Sequence, residues 1–258
     1  MDKNKKTTKS NLHTQDENII VGRNPVIELL KSEKSIEKLY IQRGAREGSI
    51  TKIFSMAKER SVTIVEVDKS KLDEMACGNA HQGVAAVASA VEYVTLEQIV
   101  EFAREKNEKP LIIVLDGVED PHNIGAIIRC AECAGAHGIV IGKRHSAVIG
   151  QTVFKSSAGA AGYVPIAKVS NIASAIDELK ELGVWTYAAD MDGESCYSTD
   201  FNCPAAIVMG NEGFGVSRLV KEKCDFTVSI PMYGKINSLN VSTAAAVLLF
   251  EAVHNRNK

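Results

Sequence analysis

Short apolar runs alternate with helix-period stretches along most of this 258-residue chain. Continuous apolar runs recur at 111–115, 138–141, 164–169, 184–188, 205–209 and 226–230. Runs of this length and character read as strands buried on both faces, the usual state of parallel sheets. Stretches with apolar residues three and four apart separate most of them, at 124–134, 173–182 and 241–253, and these predict helices. Strands alternating with helices imply a mainly parallel sheet covered on both faces, hence an α/β fold over 110–258.

A second pattern precedes it. Helix-like stretches at 25–32, 48–60 and 69–75 alternate with β-prone runs at 36–41, 62–67 and 83–90, which predicts a small α/β domain over 19–93. Asn24 followed by Pro25 reads as a helix start. Residues 94–109 place Leu96, Ile99, Val100 and Ala103 on one face, so they are expected to form a linker helix. Residues 1–18 are rich in Lys, Thr and Asn and carry no apolar segment, which predicts a disordered basic tail rather than an export signal.

Composition narrows the class. The chain is 45% apolar and 24% charged, and no apolar run reaches bilayer length. A cytoplasmic protein without membrane contact is expected. The net charge of −2 offers no global attraction to nucleic acid, so an anionic partner must meet a local patch. Arg43 with Arg46, and Lys143 with Arg144 and His145, are candidates; each cluster alone also reads as solvated surface. Six scattered cysteines with no export signal argue against a disulfide framework. Cys130 and Cys133 form a Cys-x-x-Cys pair with no second ligand pair at zinc-finger spacing, so plain thiols are expected and no metal site.

Three polar-glycine segments follow strand-like runs. They are Asn123-Ile124-Gly125-Ala126-Ile127-Ile128-Arg129, Met209-Gly210-Asn211-Glu212-Gly213-Phe214-Gly215, and the stretch from Ile230 through Met232, Gly234, Ser238, Leu239 and Asn240 to Ser242. Ligands of open parallel sheets bind beyond the carboxyl ends of the strands, so three such loops on one edge define a site. Asn123 reads as the cap of a helix starting at Ile124. Arg129 is expected to extend over Gly125 toward the strand-end crevice, where a cation at a helix start suits a visiting phosphate; pairing with Glu132 is the alternative. Glu212 reads either as a catalytic or orienting acid or as a turn carboxylate. Ser238, Asn240 and Ser242 exceed what one helix cap needs. The dinucleotide fingerprint and the P-loop ending are both absent, which disfavours a dinucleotide-dependent oxidoreductase.

Taken in this order and spacing, the segments resemble motifs 1, 2 and 3 of the SpoU, or TrmH-like, branch of the SPOUT RNA methyltransferases. Val21-Gly22-Arg23-Asn24-Pro25 and His81-Gln82-Gly83-Val84 resemble the L30e-like substrate-binding domain that precedes the catalytic domain in that family. The resemblance implies a trefoil-knotted methyltransferase domain, a homodimer, S-adenosylmethionine as cofactor, an RNA ribose 2′-hydroxyl as acceptor, and no metal. It is nearest to the 23S rRNA guanosine 2′-O-methyltransferases, acting on rRNA or an assembling large subunit. It assigns cofactor contacts to Met209, Gly210, Ile230, Met232 and Leu239, and catalytic roles to Arg129, Asn123, Glu212, Ser238 and Asn240. Two alternatives remain open: a tRNA 2′-O-methyltransferase of the same family, and an RNA-binding protein without catalysis.

Overall fold

The first unit of the computed structural model runs to Ala88 and is built on a four-stranded sheet; the second runs from Ser89. The structure describes residues 18–32 and 34–257, so the tail expected over 1–18 lies, Asn18 excepted, outside the described residues. In the first unit the order is β1 (Ile19–Val21), α1 (Arg23–Lys31), β2 (Ile36–Gln42), α2 (Ser49–Glu59), β3 (Ile64–Val67), α3 (Lys69–Ala76) and β4 (Val84–Ala88). The sheet runs β1-β4-β2-β3, with only β2 and β3 parallel. Val26, Leu29, Leu39, Ile41 and Ile53 lie in its core. Asn24 is not the helix cap that Asn-Pro suggested. Gly22 caps α1 at φ 96, a left-handed backbone that glycine adopts without strain, and Asn24 falls inside the first turn.

The second unit continues with β5 (Tyr93–Val94), α4 (Leu96–Glu105), β6 (Leu111–Asp116), α5 (Pro121–Cys133), β7 (Gly138–Gly142), α6 (Gln151–Ser156) and a 3₁₀ turn at Ala160–Gly162. Then come β8 (Ile166–Val169), α7 (Ile172–Glu181), β9 (Trp185–Ser195), β10 (Ala205–Gly210), α8 (Arg218–Lys223), β11 (Phe226–Ser229) and α9 (Val241–Arg256). Its seven-stranded sheet has the order β11-β9-β10-β6-β7-β8-β5. Every pairing in it is parallel.

Period-two alternation splits each central strand between two cores. On β6, Leu111, Ile113 and Leu115 face one core with α5 and α9. Ile112 and Val114 face the other with α4 and α7. Burial on both faces is why these strands read as unbroken apolar runs. Each such side chain contributes roughly 1.5–3 kcal/mol by leaving water. The helix expected as a linker instead belongs to this unit. A capping box between Thr95 and Gln98 starts α4, and Leu96, Ile99 and Val100 are buried against the sheet.

Candidate active site

Residues 189–192 of β9, the carboxyl ends of β10 and β11 and the chain that follows those two strands build a cleft of about 490 Å³. Small-molecule sites span roughly 300–1,000 Å³. Met209, Ile230, Leu239, Val241, Ala244 and Leu248 give it an apolar floor, and the chain from Gly210 to Gly215 forms a wall. That wall is a tight return. Asn211 and Gly215 exchange backbone hydrogen bonds at 3.0 and 2.9 Å. A Cβ at Gly210 would overlap the backbone of Gly215 and Val216, so only glycine allows the loop to fold back on the strand end. The loop is tied to β6 at two points: Asn211 Nδ2 donates to Gly117 O at 2.9 Å, and Ser217 N donates to Asp116 Oδ2 at 2.8 Å.

Met209, Gly210, Ile230, Met232 and Leu239 all line the cleft, as do Glu212 and Ser238. Asn123 and Asn240 stand beside it in one hydrogen-bonded chain. Asn123 Nδ2 donates to Glu212 Oε1 at 2.6 Å, and Asn240 Nδ2 donates to Asn123 Oδ1 at 3.1 Å. Asn240 Oδ1 accepts from the Ser242 backbone N at 2.9 Å and the Ser242 hydroxyl at 2.6 Å, which caps α9. The three segments are thus joined side chain to side chain.

Asn123 is free for this because it does not cap its helix, contrary to the reading of the sequence. Asp120 does: its carboxylate accepts from His122 N at 3.0 Å, and Pro121 occupies the first turn. Asn123 therefore sits within the first turn of α5.

Arg129 departs from expectation. Its path over Gly125 is closed, because Gly125 is buried against α6 and a Cβ there would overlap Ser156 Oγ. Gly125 serves helix packing. Arg129 is exposed, is absent from the cleft lining, and forms no ion pair, with Glu132 or otherwise, among the described residues.

The alternation of apolar and polar residues hid a fourth segment of the cleft, Asp190-Met191-Asp192, in the middle of β9. Its only signal was an acidic, glycine-containing stretch after the strand-like run 184–188. Burial pushes the Asp190 carboxyl up, but the Lys221 ammonium at 2.9 Å and the Asp192 backbone N–H more than offset this, so it titrates below the ordinary carboxylate range. Among the described residues lining the cleft there are three carboxylates, Asp190, Asp192 and Glu212, and no lysine or arginine. An apolar floor, backbone polar groups at the wall and no repelling cation fit an adenosine-type sulfonium ligand. Among the described residues no group of three or more His, Cys, Asp or Glu is arranged to hold a metal ion, and no helix is long and apolar enough to cross a membrane.

The comparisons agree with this geometry. Residues 110–250 match the profile of the SpoU rRNA Methylase family, and residues 19–94 match one described as RNA 2'-O ribose methyltransferase substrate binding. YacO of Bacillus subtilis (strain 168), placed in the TrmH family of tRNA/rRNA methyltransferases, is 44% identical over 245 residues, covering 95% of this chain and 98% of YacO. The crystal structure of the SpoU methyltransferase AviRb from Streptomyces viridochromogenes with its cofactor AdoMet superposes with a TM-score of 0.59 at 25% identity, covering 93% of this chain and 90% of AviRb. The A. aeolicus TrmH/SpoU tRNA modifying enzyme gives a TM-score of 0.53 at 32% identity over 64% of this chain and 85% of its own.

The chain therefore belongs to the SpoU, or TrmH-like, family of RNA methyltransferases. The cofactor expected for it, S-adenosylmethionine, is the molecule held in the AviRb structure.

Proposed function

We propose that this protein is an S-adenosylmethionine-dependent RNA ribose 2′-O-methyltransferase whose target is a guanosine of 23S rRNA, free or in an assembling large subunit, and that it works in the cytoplasm as a homodimer. The observation that carries the reading is the chain Glu212–Asn123–Asn240 at the rim of an apolar cleft. In this reading Met209, Gly210, Ile230, Met232 and Leu239 hold the cofactor within the knotted part of the chain. When bound, S-adenosylmethionine supplies a methyl group already activated on a sulfonium, so no metal is required.

The protein's own task is to orient the ribose and manage one proton. The attacking 2′-hydroxyl must lose its proton as the bond to the methyl forms. Arg129 is a poor base, since a guanidinium holds its proton too tightly to be deprotonated in a protein. Its role here is to grip the neighbouring phosphate and stabilise charge developing on the ribose oxygen. Glu212 is the better acceptor: it lines the cleft, Asn123 occupies one carboxylate oxygen, and the other has no partner among the described residues. Asn123 and Asn240 fix that carboxylate, and Ser238 at the cleft mouth orients the acceptor ribose.

The dimer draws support from Arg129 itself. It is exposed and stands outside the cleft of its own chain, which fits a site that a second copy completes. α9 also presents an apolar surface, with Phe250 48% exposed beside half-buried Val247 and Val253. The test is methyl transfer to in vitro transcribed 23S rRNA and to tRNA, with product nucleosides identified. A 2′-O-methylguanosine in 23S rRNA supports the proposal; methylation confined to tRNA favours the tRNA alternative; no transfer to either favours a binding protein.

A further inference from the structure

The two segments of the first unit that marked its family resemblance lie about 60 residues apart, near Arg23 and near Gln82, and they meet in space. Arg23 N donates to Gln82 Oε1 at 3.2 Å, and Arg23 Nε donates to Gln82 O at 3.0 Å. They form one side of an open pocket of about 830 Å³ that also takes in Gln42 and Lys69.

The loop is held rigidly. His81 is 7% exposed; its Nδ1 accepts from Gly83 N at 3.0 Å, so Nε2 carries the proton and donates to Asp73 Oδ1, also at 3.0 Å. Gln82 sits at φ 51, an uncommon backbone for a residue with a side chain. The Gln82 side chain is exposed. With Oε1 engaged by Arg23, the Gln82 amide N–H groups have no partner among the described residues, and neither does the Gln42 side chain.

The charges are arranged to suit an anion. The pocket's carboxylate, Asp73, is taken by His81, whereas Arg23 and Lys69 form no ion pair among the described residues. The nearby Arg43 and Arg46 are by contrast paired with Asp68 and Glu66, at 3.4 and 3.5 Å. Two cations without ion pairs, beside the Gln82 amide N–H groups and the Gln42 amide, match a phosphate joined to a base edge. No Phe, Tyr or Trp lines the pocket among the described residues, and its one imidazole, His81, is buried and hydrogen-bonded at both ring nitrogens, so recognition there rests on hydrogen bonds rather than stacking.

We propose that this pocket binds one nucleotide of the substrate RNA, its phosphate between Arg23 and Lys69 and its base edge against the amides of Gln42 and Gln82. The proposal rests on the reading of the protein as an RNA methyltransferase and names where the first unit holds that RNA. Lys69 makes no side-chain hydrogen bond or ion pair among the described residues, so Lys69→Gln tests the pocket without disturbing the loop; Arg23→Gln tests the other cation.

The experiment is filter binding of full-length protein to in vitro transcribed 23S rRNA and, separately, to bulk tRNA across a salt series. Calorimetry with S-adenosylmethionine runs alongside as the check on the second unit. Each substitution is expected to weaken RNA binding on the order of tenfold, the scale of one hydrogen bond to a charged group. Each is also expected to flatten the salt dependence by about 0.7 of a unit slope per lost phosphate contact. Cofactor affinity is expected to stay unchanged. If the parent protein binds RNA and the Lys69→Gln, Arg23→Gln double variant binds it with the same affinity and slope, the pocket proposal falls and the methyltransferase reading stands. If the parent binds neither RNA, both fall.

Discussion

Asn240 Nδ2 donates to Asn123 Oδ1 at 3.1 Å, joining residues 117 positions apart. The same Asn240 caps α9 through its other amide atom. One side chain thus sets where the last helix starts and where the polar chain to Glu212 ends. The two roles separate by substitution. Asn240→Ser keeps a capping oxygen but cannot span to Asn123. Stability is expected to fall by no more than about 0.5 kcal/mol, while single-turnover methyl transfer falls roughly tenfold to a hundredfold. Equal rates for variant and parent would remove the link from the mechanism.

Arg129 carries a second test. Arg129→Ala is expected to slow methyl transfer on the order of 10²-fold or more while leaving cofactor affinity unchanged. Arg129→Lys recovers part, because an ammonium lacks the planar fork that grips two oxygens. A lysine variant that matches the parent once pH is raised would assign Arg129 the base role instead.

The dimer gives a prediction of its own. If a second copy supplies Arg129, mixing Arg129→Ala chains with Gly210→Ala chains should restore activity in the mixed dimer, where one of the two sites has both parts intact. Two inactive parents that stay inactive after demonstrated subunit exchange would place Arg129 and the cofactor cleft in the same chain.

The loop at Gly210 is the most sterically exacting point of the cleft. A methyl group there meets the backbone of Gly215 and Val216, whereas nothing lies within 4 Å of a Cβ at Gly234. Gly210→Ala is expected to cost about 3 kcal/mol, or roughly 5–10 °C in Tm, and to abolish measurable S-adenosylmethionine binding by calorimetry. Gly234→Ala should match the parent in both measurements.

Removing the first unit separates RNA capture from cofactor binding. The cut belongs after Ala88, because Tyr93 and Val94 pair with Ile166 and Ala167 in the second unit's sheet. A chain starting at Ser89 is expected to keep cofactor affinity and lose most rRNA binding. Full methylation of the same nucleotide by the shortened chain would leave the first unit without a role in substrate choice.

The second unit's central strands were legible because burial on both faces makes them continuous apolar runs, as at Leu111–Asp116 and Ala205–Gly210. Strands β1 and β5, of three and two residues, are too short to carry a period and went unread. The same holds for the six-residue helices α6 and α8. The five positions proposed to hold the cofactor came from motif resemblance and all line one cleft. The polar chain was not legible, since Asn123 and Glu212 are 89 residues apart and no local pattern announces a contact at that distance. Misreading Asn123 as a cap had a physical cause: Asn is a good cap in general, but Asp120-Pro121 three residues earlier is the stronger start signal. Gly125 was read as clearance for Arg129 because sequence carries no trace of Ser156 packing on that face.

The most direct test of the central claim is a map of ribose 2′-O-methyl groups across 23S rRNA and tRNA from cells with and without this protein. The account predicts that a guanosine of 23S rRNA loses its methyl group without the protein, and that the parent chain, but not Arg129→Ala, restores it. An unchanged rRNA map, with or without a lost tRNA mark, would contradict the proposed substrate.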